Sequence, residues 1–323
     1  MKSPRALSIL AIAILCSCSN GGNTKMTEVA NGVWKLTCGR PEAFNLTSGL
    51  GITPKADAIN AMPECSGLPF DMNDLNLEVF DGKTYIRFPL EEDEKIFGLG
   101  LNFHSVERRG SIMRLHVDHY GGSDNGRTHA PVPFFVSSRG YGAFINSARY
   151  IDVWAGTGVR KDSKHPAKVI DRNTDPDWTA QPYSDNLEFL IPAEGVEIML
   201  FAADNMLDVV RKFNLWNGGG VLPPRWGLGF WHRVPTLYSD QQVYDEVAEF
   251  QKKEFPLTVI GLEPGWQSMA YPCTYTWDEG RFPNPGEFVA RLDSMGIKNI
   301  VADGGIKYSG DIVKALAAGA STV

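Results

Sequence analysis

Three carboxylate or aromatic side chains lie within or just after short apolar runs of the sequence, where they could contact a ligand. Glu263 and Trp266 follow the run Leu257–Leu262, and Trp231 closes the run Trp226–Trp231. A carboxylate can accept hydrogen bonds from ligand hydroxyl groups while an indole ring stacks on an apolar ligand face. Two other interpretations stay open, in which Glu263 caps a loop and Trp231 is a core side chain.

A second candidate is the turn Asp303-Gly304-Gly305, which follows the apolar run Lys298–Ala302. Glycines let a backbone approach a ligand closely, and a helix predicted to begin near Ser309 would offer unpaired N–H groups to an anion. The sequence therefore predicts a turn of the phosphate-binding type. The segment is too short to close such a site by itself.

A metal site is not expected. His116 and Asp118 would share one face of a strand while His119 points elsewhere, so the three side chains converge poorly on one ion. The sequence contains no phosphate-binding P-loop, no nucleophile elbow and no dinucleotide fingerprint. No cofactor is predicted.

The elements that must position the first two candidates alternate between strand and helix. Ser239 and Gln242 form a capping box, so residues 240–253 are predicted to form an amphipathic helix. Residues 286–295 are predicted to form a second helix. With the three apolar runs as strands, this order is that of a parallel (β/α) barrel, in which loops at the carboxyl ends of the strands form the site.

The sequence before this alternation of strands and helices has a different hydrophobic pattern. Between residues 28 and 220, short strand-like runs are separated by Gly, Pro, Asn and Asp, as at Leu77–Phe80, the Asp81-Gly82 turn and Thr84–Phe88. This pattern predicts a β-sandwich. The expected fold is a β-sandwich followed by an incomplete (β/α)8 barrel, because the 103 residues from Val221 onward fall short of the roughly 250 of a complete barrel.

Composition excludes several classes of protein. The 323 residues include 31 Lys and Arg against 38 Asp and Glu, a net charge of −7, and 43% are hydrophobic. A disordered, collagen-like or coiled-coil chain is therefore excluded. The acidic balance argues against nucleic acid as a partner.

Residues 1–17 are predicted to be a secretory signal peptide, with Lys2 and Arg5 before a short apolar run. Leu15-Cys16-Ser17-Cys18 resembles a bacterial lipobox, which predicts lipid modification of Cys18 and a flexible tether over residues 18–27. The expected location is the bacterial cell envelope, periplasmic or surface-exposed, with the membrane contacted through this anchor. The alternative is a signal peptide that is cleaved without lipid modification. A disulfide between Cys38 and Cys65 is left open.

Several ordered motifs resemble glycoside hydrolase family 31. They are Phe97–Gly100, Pro133–Phe135, Gly140–Phe144, Pro223–Trp231, Pro256–Glu263, Thr276–Asp278 and Arg281–Pro283. The resemblance implies a galactose-mutarotase-like sandwich, a TIM barrel and retaining hydrolysis of α-linked glycosides. It also implies that Asn125, in a sandwich loop, reaches the sugar pocket, although a solvated turn is the alternative there.

The same resemblance places the catalytic aspartates on the fourth and sixth barrel strands. The alternation of strands and helices reaches about three strands, so no catalytic residue is assigned and the chain is expected to be inactive alone. Glu263 stands where a family member usually carries a sugar-binding aspartate. The longer acid and the following Pro264 depart from that pattern.

Residues 300–323 resemble a different family, inosine monophosphate dehydrogenase, in which the Asp-Gly-Gly turn binds ribose and phosphate. Two explanations stay open: a junction of two genes near Lys298–Ile300, or convergence on the same turn. The expected division of the chain is 1–17, 18–27, 28–220, 221–299 and 300–323.

The interpretation that follows is a lipoprotein with part of a family 31 α-glycosidase, truncated or chimeric, acting on an α-linked oligosaccharide or glycoside. One alternative is a non-catalytic carbohydrate-binding lipoprotein. The other is a nucleotide-phosphate-binding barrel fragment, which depends on Asp303, Gly304 and Gly305 alone.

Overall fold

A computed structural model gives the fold of the chain. It describes residues 25–102, 105–117, 127–128, 130–157, 171–174, 176, 183–270, 273–306, 309–317 and 319–321. The chain divides into two compact units, residues 1–220 and 221–323. None of the helices in the described ranges is long and apolar enough to cross a membrane.

The first unit is built from β-strands. Its described strands are β1 (Lys25–Ala30), β2 (Val33–Gly39), β3 (Asn76–Phe80), β4 (Lys83–Pro89), β5 (Ile96–Gly98), β6 (Ser111–Val117), β7 (Arg127–Thr128), β8 (Phe134–Ser137), β9 (Tyr141–Asn146), β10 (Ile151–Thr157), β11 (Tyr183–Ile191) and β12 (Gly195–Ala202). They form two six-stranded sheets, in the orders β1-β2-β12-β9-β8-β5 and β3-β4-β11-β10-β6-β7. The predicted sandwich is therefore present.

The turn between β3 and β4 shows how local sequence sets the register. Asp81 and Gly82 both have positive φ, 46° and 71°, and they place Phe80 opposite Lys83. Two residues with positive φ match the right-handed twist of the flanking strands, and Asp-Gly tolerates this conformation. The predicted hairpin turn is confirmed.

An aromatic cluster fills the first unit between its sheets. Phe135 is fully buried, and its ring lies 5.0 Å from Phe88, 5.8 Å from Tyr141 and 5.9 Å from Phe189. T-shaped and offset pairs of this kind add to the stabilisation that apolar burial provides. The cluster belongs to the main core of the unit.

The described part of the first unit contains three helices, α1 (Leu46–Gly49), α2 (Ala56–Asn60) and α3 (Met206–Trp216). The ring of Phe213 on α3 stacks 3.8 Å from the ring of Phe134 on β8. Every residue of β8 and β9 is buried, since the inter-sheet core covers one face and this second cluster covers the other.

The second unit contains the strands β13 (Phe230–Arg233), β14 (Leu257–Leu262) and β15 (Asn299–Ala302) and the helices α4 (Asp240–Lys252), α5 (Pro285–Ser294) and α6 (Ser309–Ala317). The three strands are parallel, in the order β13-β14-β15. Ser239 and Gln242 form the predicted capping box at the start of α4. Side chains of α4 and α5 share one buried core with β14.

The first barrel strand differs from its prediction. Residues 225–228 form a 3₁₀ turn, and the strand begins only at Phe230. Gly229 lies so close to Thr258 that a Cβ there would be 2.3 Å from the threonine Oγ1. The apolar run alone did not show this close approach, which sets where the strand begins.

Cys38 and Cys65 do not form a disulfide. Cys38 lies on β2 opposite Val196 and belongs to the main core. Cys65 lies in the segment after α2 and is partly exposed.

Candidate functional site

Three polar residues lie side by side at the carboxyl ends of the parallel strands. Arg233 is the last residue of β13, Glu263 follows β14 directly, and Asp303 follows β15 directly. Strands that run in the same direction present their carboxyl ends at one edge of the sheet, and barrel enzymes build their sites there. We call these three residues the strand-end row.

Within the strand-end row, Arg233 and Glu263 form an ion pair with 2.8 Å between Nε and Oε1. The glutamate side chain is only 20% exposed, whereas the arginine side chain is 74% exposed. A pair this exposed contributes at most about 1 kcal/mol to stability. The contact is an ion pair, since Oε1 of Glu263 has no hydrogen-bond partner among the described residues, and sequence reasoning missed Arg233 beside this carboxylate.

Asp303 lies beside Glu263 because of the strand register. Leu262 pairs with Ala302, and the backbone N–H of Asp303 donates to the carbonyl of Leu262 at 2.9 Å. Asp303 is exposed. The row thus combines two neighbouring carboxylates with one guanidinium, a set suited to hydrogen-bonding the hydroxyl groups of a polar ligand.

Of the two glycines in the predicted phosphate-type turn, Gly304 packs against the loop after β14, and Gly305 is exposed. A Cβ on Gly304 would lie 2.6 Å from Nε2 of Gln267 and 3.7 Å from Sγ of Cys273. A side chain at Gly304 would require the end of the Gln267 side chain to move. Asp303 and Gly305 are exposed, and the phosphate-type role of this turn stays a prediction.

The two candidate tryptophans have different environments. Trp231 is 54% exposed, and its indole N–H donates to the carbonyl of Gly227 at 3.2 Å. Trp266 is only 5% exposed; its N–H donates to the carbonyl of Asp303 at 2.7 Å, and its ring packs 4.9 Å from that of Trp277. Trp231 therefore presents a ring for stacking, while Trp266 connects the loops after β14 and β15.

Arg281 holds together the loops that follow β13 and β14. Its guanidinium donates to the carbonyls of Thr236, at 3.0 Å, and Gly265, and it pairs with Asp278 at 3.1 Å. Gly265 must lack a side chain, because a Cβ there would lie 2.3 Å from the Thr236 carbonyl. Hydrogen bonds from Arg281 hold the pKa of the Asp278 carboxyl below its usual value.

Replacing Asp278 with asparagine is expected to lower the stability of the second unit by about 1 kcal/mol at neutral pH. Because the folded-state pKa of Asp278 is depressed, its contribution is present above the unfolded value of 3.8 and is lost as the pH falls through the folded value. Thermal unfolding, followed by near-ultraviolet circular dichroism, should therefore give a lower melting temperature for Asp278→Asn than for wild type. This difference in melting temperature should disappear below about pH 4. Glu279→Gln, an exposed neighbour, is the control; a difference independent of pH would contradict the assignment.

Several predicted residues fall outside the described residues: Cys18, Asp118, His119 and Asn125. Their roles stay predictions. His116 is described, and its ring packs edge-on 4.1 Å from the ring of Tyr150.

Two family models match the chain. The N-terminal galactose mutarotase-like domain of glycosyl hydrolase family 31 matches residues 29–153, and the TIM-barrel domain of the same family matches residues 220–318. The barrel match continues past the predicted junction near Lys298–Ile300, and β15 spans the predicted boundary at 299/300. The comparisons do not support the dehydrogenase resemblance. The gene junction stays a prediction. Sequencing the source DNA across the codons of residues 290–310 tests it.

Proteins similar to this chain include named α-glycosidases and a solved structure of family 31. An α-xylosidase of Emericella nidulans is 24% identical over 311 residues, which are 87% of this chain and 35% of that protein. Alpha-glucosidase 2 of Bacillus thermoamyloliquefaciens is 32% identical over 231 residues, 69% of this chain and 26% of that protein. A GH31 dextranase structure from Flavobacterium johnsoniae superimposes with a TM-score of 0.65 at 21% identity, over 92% of this chain and 38% of that one.

The chain spans 24% to 35% of the length of the first four curated relatives. The matched residues nevertheless include most of the sandwich and all three parallel strands with the strand-end row. On these two domain matches, the chain belongs to glycoside hydrolase family 31, with its mutarotase-like domain followed by part of its TIM-barrel domain.

Proposed function

We propose that this chain takes part in the hydrolysis of α-linked glycosides and that its strand-end row binds the sugar. One observation carries the proposal: Glu263 follows β14, is held by Arg233 at 2.8 Å, and lies at the carboxyl edge of a family 31 barrel match. A mostly buried carboxylate at this edge, whose Oε1 has no hydrogen-bond partner among the described residues, can accept two hydrogen bonds from adjacent sugar hydroxyls. Exposed Trp231 supplies an aromatic face on the same side of the sheet.

The ligand class follows from the relatives. Curated relatives are named α-xylosidases and α-glucosidases, and a dextranase variant is described as complexed with isomaltotriose. We therefore expect the 323-residue polypeptide to bind isomaltotriose or methyl α-xyloside with a dissociation constant in the millimolar range. Titration calorimetry checks this, with the β-linked disaccharide cellobiose as control; equal affinity for both linkages would contradict the proposal.

The same polypeptide is expected to show no hydrolysis of nitrophenyl α-glycosides. Retaining hydrolysis needs two carboxyl groups about 5–5.5 Å apart across the scissile bond, and the family resemblance places them on later strands than β15. Release of nitrophenol, followed by absorbance, is the measurement. Turnover that survives repurification would refute this expectation, whereas binding without turnover fits a sugar-binding role for these residues.

The proposed location is the bacterial cell envelope, with Cys18 as the lipid-bearing residue. The support is the sequence Leu15-Cys16-Ser17-Cys18 after a short apolar run. Cells expressing the chain with radiolabelled palmitate should incorporate label, and Cys18→Ser should abolish incorporation while Cys65→Ser retains it. Label that persists in Cys18→Ser would contradict the anchor.

A further inference from the structure

A lysine side chain is buried inside the first unit, and none of its hydrogen-bond partners among the described residues is a carboxylate. Lys212, on α3, has no exposed surface, and its Nζ donates to the carbonyl of Ala202 at 2.7 Å. Its other hydrogen-bond partner among the described residues is Sγ of Cys65, at 4.0 Å. A buried amine with so few partners is costly and calls for an explanation.

The amine and the thiol are brought together by the turn between β1 and β2. Gly32 has a positive φ of 64°, and a Cβ there would lie 2.5 Å from Nζ of Lys212 and 2.7 Å from Sγ of Cys65. The backbone N–H of Ala202 donates to the carbonyl of Gly32 at 2.9 Å. Glycine thus leaves a small space that both reactive groups share.

Cys65 is held in position by the same turn. Asn31 donates through its side-chain amide to the carbonyls of Met62, at 2.9 Å, and Pro63, at 3.2 Å. Its backbone N–H donates to the side chain of Asn60 at 2.8 Å. The segment that carries Cys65 is therefore tied to the β1–β2 turn, while the cysteine itself stays partly exposed and open to a small oxidant.

We propose that Cys65 and Lys212 form a covalent sulfur–nitrogen cross-link when the protein meets hydrogen peroxide. In the first step the thiol is oxidised: Cys65–SH and H₂O₂ give Cys65–SOH and water. In the second step the lone pair of the Lys212 amine attacks the sulfur of the sulfenic acid, the S–OH bond breaks, and Cys65–S–NH–Lys212 and water result. The Lys212 amine is a nucleophile within 4.0 Å of the Cys65 sulfur.

The cross-link would form on oxidation, break on reduction, and stabilise the folded first unit while present. It joins residues 147 positions apart, so it restricts the unfolded chain and should raise the melting temperature of the first unit by several degrees. Two equivalents of a small thiol reverse it, because they reduce the S–N bond to the free cysteine and lysine and become a disulfide.

Peptide mass mapping of the purified chain before and after hydrogen peroxide tests this proposal. The expected product is a pair of linked peptides that contain Cys65 and Lys212, lighter than their sum by two hydrogen atoms, with trypsin cleavage after Lys212 lost. Dithiothreitol should restore both peptides and the cleavage. This readout uses the wild-type protein and does not depend on whether a variant folds.

Matched variants complete the experiment. Cys65→Ser and Lys212→Met should each abolish the linked pair and the rise in melting temperature, and Cys273→Ser should keep both. Oxidation of Cys65 to sulfinic acid, or its capture by dimedone with Lys212 still cleaved by trypsin, would overturn the proposal. A linked pair that retains the oxygen atom would overturn the condensation step.

Discussion

Replacing Glu263 with glutamine is expected to weaken sugar binding by about ten- to a hundredfold. Glutamine keeps the length of the side chain but loses the charge and the ion pair with Arg233, which lies 2.8 Å away. Hydrogen bonds to a charged group contribute about 1.5–3 kcal/mol, which corresponds to this range of affinity. Titration of wild type and variant with isomaltotriose by calorimetry gives the two dissociation constants.

The control for this change is Glu249→Gln. Glu249 lies on α4, its side chain is 56% exposed, and its ion pairs with Lys252 and Lys253 lie away from the strand-end row. The Glu249→Gln variant should bind isomaltotriose with the same dissociation constant as wild type. If Glu263→Gln lowers the melting temperature and leaves the affinity unchanged, Glu263 is a structural carboxylate that caps a loop, and the proposed site is wrong.

Replacing Phe135 with alanine is expected to destabilise the first unit by about 3–5 kcal/mol. Phe135 is fully buried among Phe88, Tyr141 and Phe189, so removing its ring loses burial and leaves a cavity between the sheets. For a unit of this size the melting temperature should fall by about 6–20 °C.

Thermal unfolding of the purified chain, followed by far-ultraviolet circular dichroism, is the measurement. Phe44→Ala is the matched control, because Phe44 is 71% exposed and its loss should change stability by about 0.5 kcal/mol or less. If the melting temperature fell equally in both variants, the aromatic cluster would not be a main source of stability in the sandwich core.

The sequence was most informative where local chemistry decides the structure. The capping box at Ser239 and the Asp81-Gly82 turn appear as predicted, and β14 has the predicted bounds Leu257–Leu262. Each depends on neighbouring residues or on a continuous apolar run, which a sequence displays directly. The positions of Glu263 and Asp303 after their strands follow from the same reasoning.

The sequence was least informative where distant residues meet. The pairing of Arg233 with Glu263, the burial of Trp266 beneath Trp277 and the contact of Gly304 with Gln267 all depend on loops that approach one another in three dimensions. A tryptophan after a strand has the same sequence signal whether its ring is buried or exposed. One signal was available for Arg233: it lies two residues after Trp231, on the same face of β13.

The central claim is that the strand-end row binds an α-linked sugar, and a crystal structure of the chain with isomaltotriose tests it most directly. We predict sugar density at the carboxyl ends of β13, β14 and β15, with hydroxyl groups within hydrogen-bonding distance of Glu263 and a ring face against Trp231. Density on the sandwich alone, in crystals grown at a sugar concentration that saturates binding in solution, would contradict the claim.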